Sequence, residues 1–153
     1  MRVEGRRKVA ARSVGIFRRL MVPVDLGDRH ERALQLALAI AADSPCRVLL
    51  FHVVQRVPAI AVGELAGFYR RLVKKAERRL RQISRPFVER GIDVRTEVRI
   101  GEPAAEIVRA AQREHIDALV MGSHKVRPGG TRGWGTTSYK VGIFSQCPIL
   151  LVK

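Results

Sequence analysis

"DALVMGSHKVRPGGTRGWGTTSYK" occupies residues 117–140 and reads as three pieces in succession. Ala118 to Met121 is a short apolar run of the kind that forms a strand buried on both faces. From Gly122 onward come five glycines, interleaved with His124, Lys125, Arg127 and Arg132. Thr136 then suits the N-cap of a short helix. A glycine at a strand end lets an anion approach the backbone, and N–H groups near Gly135 and Thr136 at a helix start can face its oxygens. The hydroxyls of Thr136, Thr137 and Ser138 add donors. An ordinary surface turn before a helix has the same grammar, so this stretch alone leaves both readings open.

Further apolar runs lie on either side. "FRRLMVPVD" (17–25), "RVLLFHVV" (47–54) and "PILLV" (148–152) also read as doubly buried strands. "IDVRTEVRI" (92–100) alternates apolar and charged residues, which suits a strand with one wet face at a sheet edge. Between the strands the apolar period becomes helical. Asp28 reads as an N-cap with Glu31 in capping-box position, followed by Ala33, Leu34, Ala37, Leu38 and Ala41 along one face. A second helix is expected over 64–84, with Phe68, Leu72, Ala76 and Leu80 in its apolar stripe and Pro86 breaking or kinking it. A third should span 103–114 with Pro103 in its first turn, and a fourth should follow Thr136. Alternation of this kind predicts an α/β fold, an open parallel sheet of five strands with helices on both faces joined by right-handed crossovers. Ligands of such Rossmann-like sheets bind beyond the carboxyl ends of the strands, where the winding reverses. That directs attention to "VPVDLGD", which presents Asp25, and to "MGSHK".

The chain has 153 residues, 46% of them hydrophobic, which suits one domain with a real core. No apolar run approaches the ~20 residues of a membrane span. Residues 1–20 carry seven Arg or Lys against one Glu and lack a signal-peptide core. A basic disordered tail is expected over 1–14, ahead of a domain over 15–153. Cys46 and Cys147 each precede a strand, which suits reduced, structural thiols and a cytoplasmic protein.

Several landmarks taken together, "VPVD", "LLFHVV", "GEPAAEIVRAA", "IDALVMGSH" and "CPILLVK", resemble the universal stress protein family from about residue 16 to the C-terminus. The resemblance implies sheet order 3-2-1-4-5, which sets the two cysteines three strand spacings, or ~14 Å, apart and so unable to bridge. It implies a homodimer made through residues 148–152, where an apolar edge strand would otherwise leave its backbone unpaired. It also implies an adenine-nucleotide site for ATP, with Mg²⁺ carried on the nucleotide. The residues that match are Pro23, Asp25 and Val53 around base and sugar, and Met121, Gly122, Ser123, His124, Lys125, Gly135, Thr136 and Thr137 around the phosphates. Arg127 and Arg132 join that set as further cations in the loop. The family pattern has glycine where this chain has Lys125. A side chain there either crowds the phosphates or adds charge to them.

Other residues carry less. The four histidines, His30, His52, His115 and His124, do not cluster in sequence as metal ligands do, and one carboxylate, Asp25, is not a catalytic constellation. Asp25 either helps to hold Mg²⁺ or a water, or bonds backbone N–H groups at the strand–helix turn. No enzyme is expected beyond slow ATP hydrolysis. The net charge is +15, of which residues 64–90 contribute +6, nine Lys or Arg less three Glu. Arg70, Arg71, Lys74 and Lys75 in that segment either face solvent or engage nucleic acid or an acidic protein. Two functions are therefore expected: a dimeric stress-response switch that binds an adenine nucleotide, or a nucleotide-independent dimeric interaction module.

Overall fold

The computed structural model describes residues 16–27, 30–57, 65–123 and 136–153. Within them β1 (Arg19–Pro23), α1 (Glu31–Asp43), β2 (Arg47–Gln55), α2 (Ala66–Glu89), β3 (Val94–Gly101), α3 (Pro103–Arg113), β4 (Ala118–Gly122), α4 (Thr137–Phe144) and β5 (Ile149–Val152) alternate along the chain. All strands are parallel, in the order β3-β2-β1-β4-β5. Each strand–helix–strand step must cross over, and the reversal of winding between β1 and β4 puts α1 and α2 on one face of the sheet and α3 and α4 on the other.

Strand parity sets which helix each residue meets. Leu20, Val22, Val48, Leu50 and Val120 point to one face and pack with Ala33, Ala37 and Ala41 of α1 and Leu80, Ile83 and Phe87 of α2. Met21, Leu49, Phe51, Leu119 and Met121 point to the other, under Ile107, Ala110 and Ala111 of α3 and Val141 of α4. Phe87 is 2% exposed; truncating such a ring to alanine costs about 3–5 kcal/mol. The two thiols are free, as expected. Burial of Cys46 raises its thiol pKa, which keeps it unreactive.

Three sequence expectations need correction. Helix α2 runs through Pro86 to Glu89. The proline removes one N–H, but the carbonyl it would serve belongs to exposed Gln82, where water can take its place, and buried Ile83 and Phe87 anchor both sides of the break. Gly91, at φ +70°, is what ends the helix. It closes a Schellman cap in which Ile92 N donates to Phe87 O at 3.0 Å and Gly91 N to Val88 O at 2.9 Å. The apolar stripe of α2 holds at Ala76 and Leu80, both buried, but at its start Tyr69 is buried in place of Phe68, which is 42% exposed. Finally, the cap of α1 is His30, which makes no side-chain capping bond; Asp28 lies outside the described residues.

Helix α3 is as expected at its start. Pro103 occupies the first turn, and the Glu102 carboxylate accepts from Ala105 N at 2.7 Å. At its other end His115, at φ 50°, takes the position that Gly91 holds after α2.

Candidate functional site

The carboxyl ends of β1, β2 and β4 open into a cleft of about 310 Å³, at the low end of the range for small-molecule sites. Its floor follows from parity. Pro23 and Asp25 on β1 and beyond, Phe51, Val53 and Gln55 on β2, and Met121 and Ser123 around the end of β4 are alternate residues on the face that α3 and α4 cover. Pro103 and Ile107 of α3 form one wall, and Thr136, Thr137 and Ser138 at the start of α4 form another. One side is thus apolar and flat, the other rich in hydroxyls at a helix N-terminus.

Asp25 is held by its own turn. Leu26 adopts φ 64°, a left-handed conformation that costs an L-residue about 1 kcal/mol, and this folds the chain so that Gly27 N donates to Asp25 Oδ1 at 3.0 Å. The Nδ1–H of buried His30 donates to the same oxygen at 3.2 Å. The carboxylate nevertheless remains 54% exposed toward the cleft. The second sequence alternative for Asp25 is thus seen, one oxygen bracing the turn, while the group still faces the opening. On the far side of β1, His52 Nδ1–H donates to Val24 O at 2.6 Å and fixes the strand's last turn. Burial lowers the pKa of His52, opposed in part by that bond and by the charge of Asp25, so its neutral form is favoured.

At the opposite wall Thr136 is the N-cap of α4, its Oγ1 accepting from Tyr139 N at 3.3 Å and lying 3.4 Å from Ser138 Oγ. Ser123 N donates to Val152 O at 2.8 Å, which ties the rim of the cleft to the edge strand.

Of the residues singled out in the sequence, Pro23, Asp25, Val53, Met121, Gly122, Ser123, Thr136 and Thr137 all line this cleft. His124, Lys125, Arg127, Arg132 and Gly135 fall between Ser123 and Thr136, outside the described residues. Ser138, whose hydroxyl the sequence offered as a further donor, lines it too, and so do Val24, His30, Phe51, Gln55, Pro103 and Ile107, which were not anticipated. Naming Val53 already implied Phe51 and Gln55, its neighbours in strand period two; Pro103 and Ile107 come from a crossover that no local pattern reveals. Among the described residues no group of three or more His, Cys, Asp or Glu is placed to hold a metal ion, and no helix is long and apolar enough to cross a membrane.

An open parallel sheet with a cleft at its topological switch point is a small α/β domain of the kind that places ligand sites there. Residues 16–153 match the universal stress protein family, and the chain belongs to it. The universal stress protein YxiE of Bacillus subtilis is 27% identical over 149 residues, covering 90% of this chain and all of the relative. The solved structure of MJ0577, a universal stress protein of Methanocaldococcus jannaschii, superposes with TM-score 0.78 at 26% identity, over 90% of this chain and 96% of that one. Two further structures share the fold. One is a universal stress protein in complex with cAMP, with TM-score 0.67 at 22% identity over 90% of this chain and 97% of that one. The other is the Archaeoglobus fulgidus protein in complex with dAMP, with TM-score 0.63 at 20% identity over 90% and 99%.

Proposed function

We propose that this chain is a dimeric, cytoplasmic regulatory protein that binds an adenine nucleotide, ATP, in the cleft at the ends of β1 and β4. The observation that carries this is the cleft's two-sided chemistry. A flat apolar side of Pro23, Phe51, Val53 and Met121 suits a purine, the exposed Asp25 carboxylate suits ribose hydroxyls, and the hydroxyls and N-terminus of α4 suit phosphate oxygens. The complexes with cAMP and dAMP add support, since both ligands are adenine nucleotides. Lys125, Arg127 and Arg132, in the segment that joins Ser123 to Thr136, supply positive charge for a polyphosphate. Mg²⁺ arrives with the nucleotide, because the described residues offer a single carboxylate at the cleft. The proposed role is binding, with ordering of residues 122–137 as the switch, rather than turnover.

Dimerisation through β5 is part of the proposal. β5 is a sheet edge, Leu150 and Leu151 are 37% and 48% exposed, and Phe144 beside it is 66% exposed. A Leu151→Glu variant should sediment as a monomer where the native chain sediments as a dimer.

The nucleotide proposal is tested by acid extraction of copurified nucleotide followed by calorimetric titration with ATP and Mg²⁺, for the native chain and for Lys125→Gly. Binding in the micromolar range, about −8 kcal/mol, is expected for the native chain. Binding only after glycine is restored would mean that this chain has lost the ligand.

In that event a second reading leads, in which the dimer is an interaction module whose basic surface meets nucleic acid or acidic protein. It is favoured by Arg70, Arg71, Lys74 and Lys75, all exposed and none in a side-chain hydrogen bond or ion pair among the described residues.

A further inference from the structure

Helix α2 carries more charge than its position in the fold requires. Its buried residues, Tyr69, Ala76, Leu80, Ile83 and Phe87, form one stripe against the sheet. On the opposite side Arg71, Lys74, Arg78, Arg81 and Arg85 follow one another at intervals of three and four residues, so they form a single ridge. Arg70 and Lys75 flank it. All seven are exposed, and none makes a side-chain hydrogen bond or ion pair among the described residues.

Elsewhere among the described residues several arginines are paired. Arg47 pairs with Asp93, Arg95 with Glu114, Arg109 with Glu106, and Arg113 with both Glu97 and Glu114. Unpaired like charges one helical turn apart repel one another and destabilise a helix by a few tenths of a kcal/mol per pair. The ridge is thus the one long face among the described elements where cations accumulate at a cost to the helix.

We infer that the α2 ridge is a docking surface for the phosphate backbone of duplex nucleic acid, bound without regard to sequence. This rests on the second reading above and names its partner. At 1.5 Å per residue, Arg71 to Arg85 spans about 21 Å, the length over which one strand of a duplex presents about six phosphates. Five ridge cations therefore lie along a length of duplex that carries a similar number of phosphates on each strand. Arginine dominates, and its guanidinium engages phosphate oxygens in pairs.

The competing partners fit less well. Single strands bind through stacked aromatics. The ridge has none, and Phe68, exposed in the first turn, lies off it and edge-on to Tyr69 with ring centroids 5.7 Å apart. Lying in a bilayer interface takes an apolar helix face, and that of α2 is buried on the sheet. Protein interfaces centre on apolar or aromatic anchors, which the ridge lacks. Because half of the helix is embedded, it cannot enter a groove to read bases, which leaves backbone contact.

The test is anisotropy of a labelled 20-base-pair duplex titrated with the full chain between 50 and 200 mM salt. With about five phosphates neutralised, log K should fall against log[salt] with slope about −4.5, a loss of about 500-fold over that range. Arg71→Gln, Lys74→Gln, Arg78→Gln and Arg81→Gln together should weaken binding at 50 mM salt at least 100-fold and bring the slope to about −1. Arginine-to-lysine changes at 71, 78 and 81 should keep the slope, and circular dichroism of all variants should be unchanged. An α2 variant that keeps native affinity and slope would overturn the proposal. So would an equal loss from Arg2, Arg6, Arg7 and Lys8 changed to Gln, since binding would then follow net charge. If polyglutamate or phosphatidylserine vesicles compete as well as unlabelled duplex at equal charge, the duplex assignment fails. In the polyglutamate case the broader reading of an acid-binding module survives.

Discussion

Helices α3 and α4 both bring their N-termini to the same cleft, yet they are finished differently. The start of α3 carries its own anion: Glu102 accepts from Ala105 N at 2.7 Å and is approached by Lys140 of α4 at 3.5 Å. The start of α4 is capped by a neutral hydroxyl, Thr136, through a longer bond of 3.3 Å. A carboxylate at a helix N-terminus satisfies the local dipole from within the chain, whereas a hydroxyl cap leaves that field for an incoming charge. One helix end is thus complete as structure, and the other is suited to a ligand.

This contrast can be broken in several ways. The largest effect should come from closing the cleft itself. Val53→Trp would fill the apolar side and should reduce ATP affinity by more than about 100-fold in calorimetry, since a bulky ring in a site of 310 Å³ leaves no room for a purine. Asp25→Ala should follow, with a loss of about 10- to 30-fold, the effect of hydrogen bonds to a charged group worth roughly 1.5–2 kcal/mol.

The pair Thr136→Ala and Glu102→Ala then separates the two helices. Each removes a cap and should destabilise the fold by about 1 kcal/mol in denaturant unfolding. Only Thr136→Ala should also weaken the nucleotide, by about 5-fold, and equal effects on binding would erase the distinction drawn here. The smallest effect is one of pH. The Ala105 N–H, and after it the charge of Lys140, hold the Glu102 carboxyl below the usual glutamate range. A group whose pKa is depressed on folding stabilises the fold fully above its unfolded value, about 4.3, and loses that contribution as pH falls through the folded value. Melting temperatures taken from pH 6 to 3 should therefore fall less steeply for Glu102→Gln than for the native chain.

Much of this arrangement was legible in the residues. Apolar runs four to nine residues long, separated by helical patterns, fix a parallel sheet because no other layer scheme buries them all, and the wet alternation of β3 puts it at an edge. Pro103 at the start of α3 and Thr136 at the start of α4 were visible because capping chemistry is local. The course of α2 was not. Pro86 is a local breaker, and only the burial of Ile83 and Phe87 against the sheet, a tertiary effect, carries the helix past it to Gly91. The same applies to Tyr69, whose hydroxyl accepts from Val57 N at 2.9 Å across the crossover, a contact that selects it over Phe68 for the interior. In the cleft, strand residues could be inferred from parity, whereas His30 and Ile107 arrive from helices whose rotation is set by packing. Family resemblance supplied the role of the strand ends, and the helix starts supplied their asymmetry.

The central claim is that an adenine nucleotide occupies the carboxyl end of the sheet between β1, β2 and the start of α4. Its most direct test is an amide-resolved NMR titration of the native chain with ATP and Mg²⁺. The account predicts saturable shifts at Val24, Val53, Gly122 and Thr137 to Tyr139, with Ala105 and the amino ends of the strands at Arg19 and Arg47 unmoved. Shifts confined to α2 or to the amino ends of the strands, or none at millimolar nucleotide, would contradict it.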